Sequence, residues 1–395
     1  MNPQLASLQP YPFQRLRQLM AGAVPPAGKT HINLSIGEPK HPTPDVIKDA
    51  LTANLGGLAS YPATLGSPEL RQACAAWMQR RYGLAMDADK QILPVNGSRE
   101  ALFAFVQTLV DASGEQRPVV ISPNPFYQIY EGAALLAGAE PYYVNCLSDK
   151  RFQPDWQSVP EAIWQRTQVV FVCSPGNPTG AVMSLADWKN LFELSDRHGF
   201  VIASDECYSE IHFGQAPLGG LEAAAQLGRG FERIVMFTSL SKRSNAPGMR
   251  SGFVAGDAAL LEKFLLYRTY QGGAMSPTIQ AASAAAWNDE AHVEANRAAY
   301  IAKFDAVTDR LAAVLELARP DASFYLWARV PGGDDAAFAR RLFEEEHITV
   351  LPGSYLAREA HGVNPGRGFI RIALVATLAE CTEATDRIIR FMQNN

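Results

Sequence analysis

Five cysteines in 395 residues, scattered, odd in number and without a CxxC pair, leave this sequence no disulfide framework and no thiolate metal site. Cys74, Cys146, Cys173, Cys207 and Cys381 therefore read as reduced packing residues of a cytoplasmic protein. The seven histidines form no metal-spaced cluster, so no metal is expected. Neither GxSxG nor GxGxxG is present, which removes the strained serine elbow and the dinucleotide fingerprint. Residues 22–30 end like a phosphate-binding loop, but the first glycine, Gly22, stands one residue too early and Pro25 and Pro26 intervene. Charge of one sign is also lacking. With 35 Lys+Arg against 40 Asp+Glu, the net charge is −5, so neither nucleic acid nor an anionic membrane is expected as partner. No apolar run is long enough to span a bilayer: the charge-free stretch 269–288 is interrupted by Gln271, Gly272, Gly273, Pro277 and Gln280. Residues 1–10 are polar and lack the basic-then-apolar order of a signal peptide, so none is expected. No repeat or low-complexity linker appears.

What is present is an ordinary globular composition, 47% hydrophobic and 19% charged, in a chain long enough for two cores. Apolar, β-branched runs at 118–122, 141–146, 168–173, 199–204, 234–238 and 251–255 predict strands covered on both faces. Between them, 100–110 and 185–198 carry the apolar spacing of helices. The pattern predicts an α/β fold, doubly wound, with a mostly parallel sheet covered by helices. The rest differs: a long Ala-rich helix over 290–317, a strand over 323–330, a helix over 335–346, strands near 348–351 and 368–374, and a closing helix over 378–392. This predicts a smaller α+β domain completed by N-terminal residues, giving an arm and part of the small domain at 1–45, a large domain at 46–285 and a small domain at 286–395.

Ligands of such sheets bind beyond the carboxyl ends of the strands, and the polar motifs lie there. Ser239-Leu240-Ser241-Lys242 follows one apolar run, and Arg250 stands eight residues past the lysine. An amine so placed can form a Schiff base with a carbonyl cofactor while the hydroxyls and the arginine hold a phosphate. A neighbouring cation would lower the amine's pKa. The bland alternative is a solvated surface lysine. Asp205 and Tyr208 follow another run; a carboxylate there needs a partner, which a pyridine nitrogen supplies, although a helix cap also accounts for an aspartate. Asn177, in a Pro-Gly-Asn-Pro-Thr-Gly turn, offers an amide that with Tyr208 could hold a ring oxygen. Gly97-Ser98-Arg99 precede a helix whose free N–H groups suit phosphate. Arg371 alternates with Ile370 and Ile372 on a half-buried strand and calls for a carboxylate, from a substrate or from a structural ion pair.

Together these residues resemble the class I/II aminotransferases, fold-type-I enzymes dependent on pyridoxal 5'-phosphate, over most of the chain from about residue 33 to 371. The resemblance implies Lys242 as the Schiff-base lysine, Asp205 as the pyridinium partner, and Tyr208 and Asn177 as ring-oxygen donors. It implies Ser239, Ser241, Arg250, Gly97, Ser98 and Arg99 around the phosphate and Tyr127 as the aromatic against the ring. Gly37 and Arg371, with Asn177, would receive the substrate carboxylate. Tyr61 resembles the tyrosine that reaches a phosphate in the neighbouring subunit, which implies a homodimer with shared sites acting on amino acid and ketoacid substrates. Residues 10–19 and 35–44 resemble bacterial N-succinyldiaminopimelate aminotransferases of lysine biosynthesis, so the implied reaction moves an amino group between the glutamate/2-oxoglutarate pair and N-succinyl-LL-2,6-diaminopimelate with its ketoacid.

The site residues alone leave open another amino-acid aminotransferase, or β-elimination or decarboxylation on the same scaffold. A catalytically inert sensor with an aminotransferase-like domain would need a DNA-binding domain, and the roughly forty residues before the core are not basic. The distal end of a succinylated substrate needs a further cation. Arg15 and Arg17 are two apart, so at most one of them is expected to reach the site; the alternative is that both are solvated charges on a dimer-packing arm.

Overall fold

The computed structural model describes residues 1–394. A short first strand, β1 (Ile32–Asn33), precedes seven that form the main sheet: β2 (Ile92–Val95), β3 (Val119–Asn124), β4 (Glu140–Asn145), β5 (Thr167–Cys173), β6 (Val201–Asp205), β7 (Ile234–Ser239) and β8 (Gly252–Gly256). Their order is β2-β8-β7-β6-β5-β3-β4. The central pairs from β4 to β7 are parallel, and β8 runs antiparallel to both β7 and β2. Side-chain alternation explains why the strand runs are apolar throughout. Val169 and Phe171 of β5 join one packed layer, while Val170 and Val172 join the layer on the other face. Both faces are covered, so no position could be polar without cost.

Six of the seven strands match the apolar runs read from the sequence. The seventh, β2, was hidden by Pro94, which argues against a strand interior but is tolerated at a sheet edge, where β2 lies. The helix Leu185–His198 is bounded as its sequence dictates, by a Ser184/Asp187 capping box and by Gly199 at φ 80°.

The C-terminal strands β9 (Tyr325–Arg329), β10 (Ile348–Thr349), β11 (Leu351–Pro352) and β12 (Phe369–Ala373) build two further sheets. One has the antiparallel order β11-β12-β9, and in the other β10 pairs in parallel with β1. The single strand read at 348–351 is thus split at Val350, because the chain changes partner there. The long helix Ala291–Ala312 ends five residues before the sequence reading, since Glu316 instead bridges to Arg329. Phe304, Val307 and Leu311 of that helix pack on Ile370 and Ile372, with Ile32 and Leu34 in the same cluster. Leu34 accepts from the Ala373 N–H at 2.8 Å, which ties residues preceding the main sheet to β12.

A cavity at the carboxyl ends of the central strands

A cavity of about 480 Å³ opens where β5, β6 and β7 end. The sheet register puts Cys173, Asp205 and Phe237 side by side on these three strands, so the residues just beyond them converge. Every site residue inferred from the sequence lines it except Gly97, which stands next to Ser98 at its edge, and Tyr61, whose side chain is fully exposed (103%) outside it.

Lys242 sits in the short helix Leu240–Arg243, capped by Ser239. Its amine donates to the Gly37 carbonyl, contributed by the loop after β1. The amine's pKa is lowered to about 8, chiefly by burial and in lesser part by the charges of Arg371 and Arg99, with Cys207 and Glu38 acting against the shift. The sequence reading gave this effect to an adjacent cation; desolvation is the larger cause.

Asp205 ends β6 and is buried. It accepts from the Tyr130 hydroxyl at 2.7 Å and from the Cys207 N–H at 3.3 Å. Burial raises its pKa, against which these two donors and the charge of Lys242 act. The Tyr208 hydroxyl lies 3.0 Å from that of Tyr325. Arg371, on the β12 face opposite Ile370 and Ile372, donates to Asn177 Oδ1 at 2.8 Å and to the Ser35 carbonyl at 2.7 Å. Its Nε is buried without a partner, and the guanidinium forms no ion pair among the described residues. Asn177 therefore presents its carbonyl oxygen to Arg371 and keeps its NH₂ group as a donor. Gly37 admits no side chain, because a Cβ there would run into the Tyr325 hydroxyl.

At the other end, Ser98 opens the helix Ser98–Leu109 after Gly97 at φ 84°, and a Cβ on Gly97 would collide with the Arg250 guanidinium. Ser239 Oγ stands 2.9 Å from Ser241 Oγ, and Arg250 reaches the Pro247 carbonyl at 3.0 Å. Hydroxyls, a guanidinium and a helix N-terminus thus meet in one place, as an oxyanion requires.

One expectation needs correction. Cys173 and Cys207 are not mere packing residues: both line the cavity, and Cys207 Sγ lies 3.0 Å from Ser98 Oγ. Neither Arg15 nor Arg17 reaches the cavity; Arg15 stacks on the Tyr355 ring at 4.0 Å. The N-terminal arm contributes Tyr11, Pro12 and Phe13 instead, and the cation at the mouth is Arg99, which bonds to the hydroxyls of Tyr127 and Tyr11. Tyr130 and Tyr325 carried no sequence signal, since each sits in an apolar run where a tyrosine reads as core.

The donor set fits pyridoxal 5'-phosphate. An acceptor carboxylate at one end matches its ring nitrogen, an amine of lowered pKa matches its carbonyl, and the oxyanion cradle matches its phosphate.

The family model described as aminotransferase class I and II matches residues 29–388. A solved aminotransferase structure from Neisseria meningitidis superposes with a TM-score of 0.97 at 58% identity, covering 99% of this chain and 100% of that one. An LL-diaminopimelate aminotransferase of Desulforudis audaxviator is 33% identical over 97% of this chain and 96% of its own length. A probable N-succinyldiaminopimelate aminotransferase from Thermus thermophilus superposes with a TM-score of 0.85 at 28% identity, covering 96% of this chain and 99% of that one.

Proposed function

The chain belongs to the class I and II aminotransferases, which use pyridoxal 5'-phosphate, and from that premise we propose that it transfers an amino group between N-succinyl-LL-2,6-diaminopimelate and 2-oxoglutarate, giving the matching ketoacid and glutamate, or runs that exchange in reverse. The observation that carries the substrate is Arg99. It stands at the cavity mouth with two tyrosine hydroxyls as partners and no carboxylate among the described residues. An exposed guanidinium so placed, lining the cavity, suits a distal carboxylate. In free diaminopimelate the distal end carries an ammonium as well. Succinylation replaces that ammonium by an amide and adds a carboxylate, leaving an anionic end that suits a cation flanked by Tyr11, Phe13 and Gln128. The likeness to named LL-diaminopimelate and N-succinyldiaminopimelate aminotransferases supports the substrate class.

In this reading Arg371 would receive the α-carboxylate through its unpartnered Nε face. The neutral amine of Lys242 would take the proton from the substrate Cα, hold it as an ammonium and give it back as the amino group moves. When bound, the cofactor would supply the electron sink for that proton's removal, and Asp205 would hold its ring nitrogen as a cation. Asn177 Nδ2 and the Tyr208 hydroxyl would hold the ring oxygen, Tyr127 would cover the ring, and Ser98, Ser239, Ser241 and Arg250 with the backbone at Gly97 and Arg99 would hold the phosphate.

The working unit in this reading is a homodimer in which Tyr61 of each subunit completes the other's site. The full exposure of Tyr61, near Leu58 and Leu55 and with Tyr270 also exposed, supports that assembly. Two domains divided near residue 286 would close over the substrate.

The test is a steady-state comparison of N-succinyl-LL-diaminopimelate, LL-diaminopimelate and alanine as donors to 2-oxoglutarate. The succinylated substrate should give the highest kcat/KM, and Arg99→Ala should lower it by about tenfold to hundredfold while leaving alanine nearly unchanged. A higher kcat/KM for free LL-diaminopimelate would overturn the succinyl assignment.

A further inference from the structure

Outside the cavity lining, one face of the long helix Ala291–Ala312 carries Asn296, Tyr300 and Lys303. Residues spaced by four and three stack along a helix, so these point the same way. Asn296 and Lys303 are 6% and 2% exposed, and they meet His41 of the loop that also carries Gly37. Lys303 Nζ lies 2.7 Å from His41 Nε2, His41 Nδ1 lies 2.7 Å from Asn296 Oδ1, and the His41 ring packs on Tyr300 at 4.7 Å. Asn296 Nδ2 then donates to the backbone carbonyls of Lys242 and Arg243 at 3.2 and 3.4 Å, and Asn245 Nδ2 donates to Asn296 Oδ1 at 3.0 Å.

The donors and acceptors admit one arrangement. Two carbonyls face Asn296 Nδ2 and one NH₂ group faces its Oδ1, so a flipped amide would oppose like to like. Nδ1 of His41 must then carry the proton given to Oδ1, and Nε2 accepts from the Lys303 ammonium. The imidazole is neutral, in keeping with the lowering of its pKa by burial, which Asn296 opposes and Lys303 reinforces. The other Lys303 N–H groups go to the carbonyls of Leu374 and Val375, just past β12 and Arg371, at 3.3 and 3.4 Å. The loop is tied a second time: Thr43 Oγ1 donates to the Asn245 carbonyl at 2.8 Å.

We propose that Asn296, His41 and Lys303 are positioning residues for transamination, a buried hydrogen-bond chain that holds the Lys242 turn, the Gly37 loop and the strand of Arg371 in one fixed relation. None of the three lines the cavity, so they act through the groups they hold. The Lys242 amine meets the Gly37 carbonyl only if the turn and the loop keep their spacing, and Asn296 and His41 join these two elements directly. The side-chain donors and acceptors of Asn296, His41 and Lys303 are all used, although Asn245 Oδ1 and the Tyr300 hydroxyl beside them are buried without a partner. Such a chain is rigid, because each broken bond would strand a buried group.

The proposal rests on Lys242 being the reactive amine, and its test reads that amine without substrate. The pH dependence of acetic-anhydride labelling of Lys242 is followed by mass spectrometry in the full-length, cofactor-free protein, with circular dichroism as the check on folding. The wild-type midpoint should lie at about 8. In Asn296→Leu and His41→Phe the amine should leave its buried place, and the midpoint should rise by about half a unit or more. His41→Asn retains an N–H at the Nδ1 position and should restore the midpoint towards wild type, whereas His41→Gln should not. In the holoenzyme, Asn296→Leu should lower kcat by about tenfold or more with little change in KM, as misplacement of a reacting group does. An unchanged Lys242 midpoint in folded Asn296→Leu, or equal midpoints for His41→Asn and His41→Phe, would overturn the proposal. Neither result depends on which amino acid is the natural substrate.

Discussion

The Tyr130 hydroxyl donates to Asp205 Oδ2 at 2.7 Å, and both groups are buried at the end of β6. This bond stabilises the carboxylate, which burial alone would push toward the protonated form. A protonated Asp205 could not hold a ring nitrogen as a cation.

Tyr130→Phe should therefore weaken the electron sink without removing it. A hydrogen bond to a charged group contributes about 1.5–3 kcal/mol, so kcat should fall roughly tenfold to hundredfold. The carboxylate is needed ionised, and its loss occurs as pH falls through its pKa. Raising that pKa should move the acidic limb of the kcat profile to higher pH. Asp205→Ala should cost more, on the order of 10²–10⁴ in rate. A Tyr130→Phe enzyme with an unshifted acidic limb would remove this role from the hydroxyl.

Lys242 reacts with a carbonyl only as the neutral amine. With its pKa lowered to about 8, the rate at which cofactor-free protein takes up pyridoxal 5'-phosphate should rise with pH and level off above that value. Stopped-flow absorbance measures it. Borohydride reduction of the loaded protein, followed by peptide mass spectrometry, should find the pyridoxyl group on Lys242. Its recovery on another lysine would reject the assignment.

Tyr61 lies outside the cavity of its own chain and is fully exposed. If it completes a partner's site, Tyr61→Phe and Lys242→Ala subunits mixed after dissociation should form dimers with one doubly altered and one intact site. Activity should recover to about a quarter of wild type when half of all dimers are mixed and each holds one working site. Verified mixed dimers with no recovery would place the action of Tyr61 within its own subunit or remove it.

Much of the fold was legible because local pattern and global packing agree. The runs at β3 to β8 are apolar because helices cover both faces, so burial itself wrote the signal. Where the local rule and the tertiary setting disagree, reading failed. Pro94 breaks a strand only in a sheet interior, and its edge position cannot be seen until the sheet order is known. Val350 divides an apolar run because two different sheets claim its two halves.

The sequence by itself determined which polar residues meet in the cavity: Lys242, Asp205, Asn177, Tyr208 and Arg371 stand just beyond or within strands, and the strand-end rule gathers them. Only the tertiary structure decided their state. Desolvation lowers the Lys242 pKa more than any neighbouring cation does, and desolvation depends on everything packed around the amine. Tyr130, Tyr325, Asn296 and Lys303 look like core or helix-surface residues in the sequence, because their side-chain hydrogen-bond partners stand at least 51 residues away. The arm's contribution was decided the same way. Arg15 and Arg17 belong to the arm that reaches the cavity, but Tyr11 and Phe13 turn inward while Arg15 stacks on Tyr355, and Arg99 lines the cavity where neither arm arginine does.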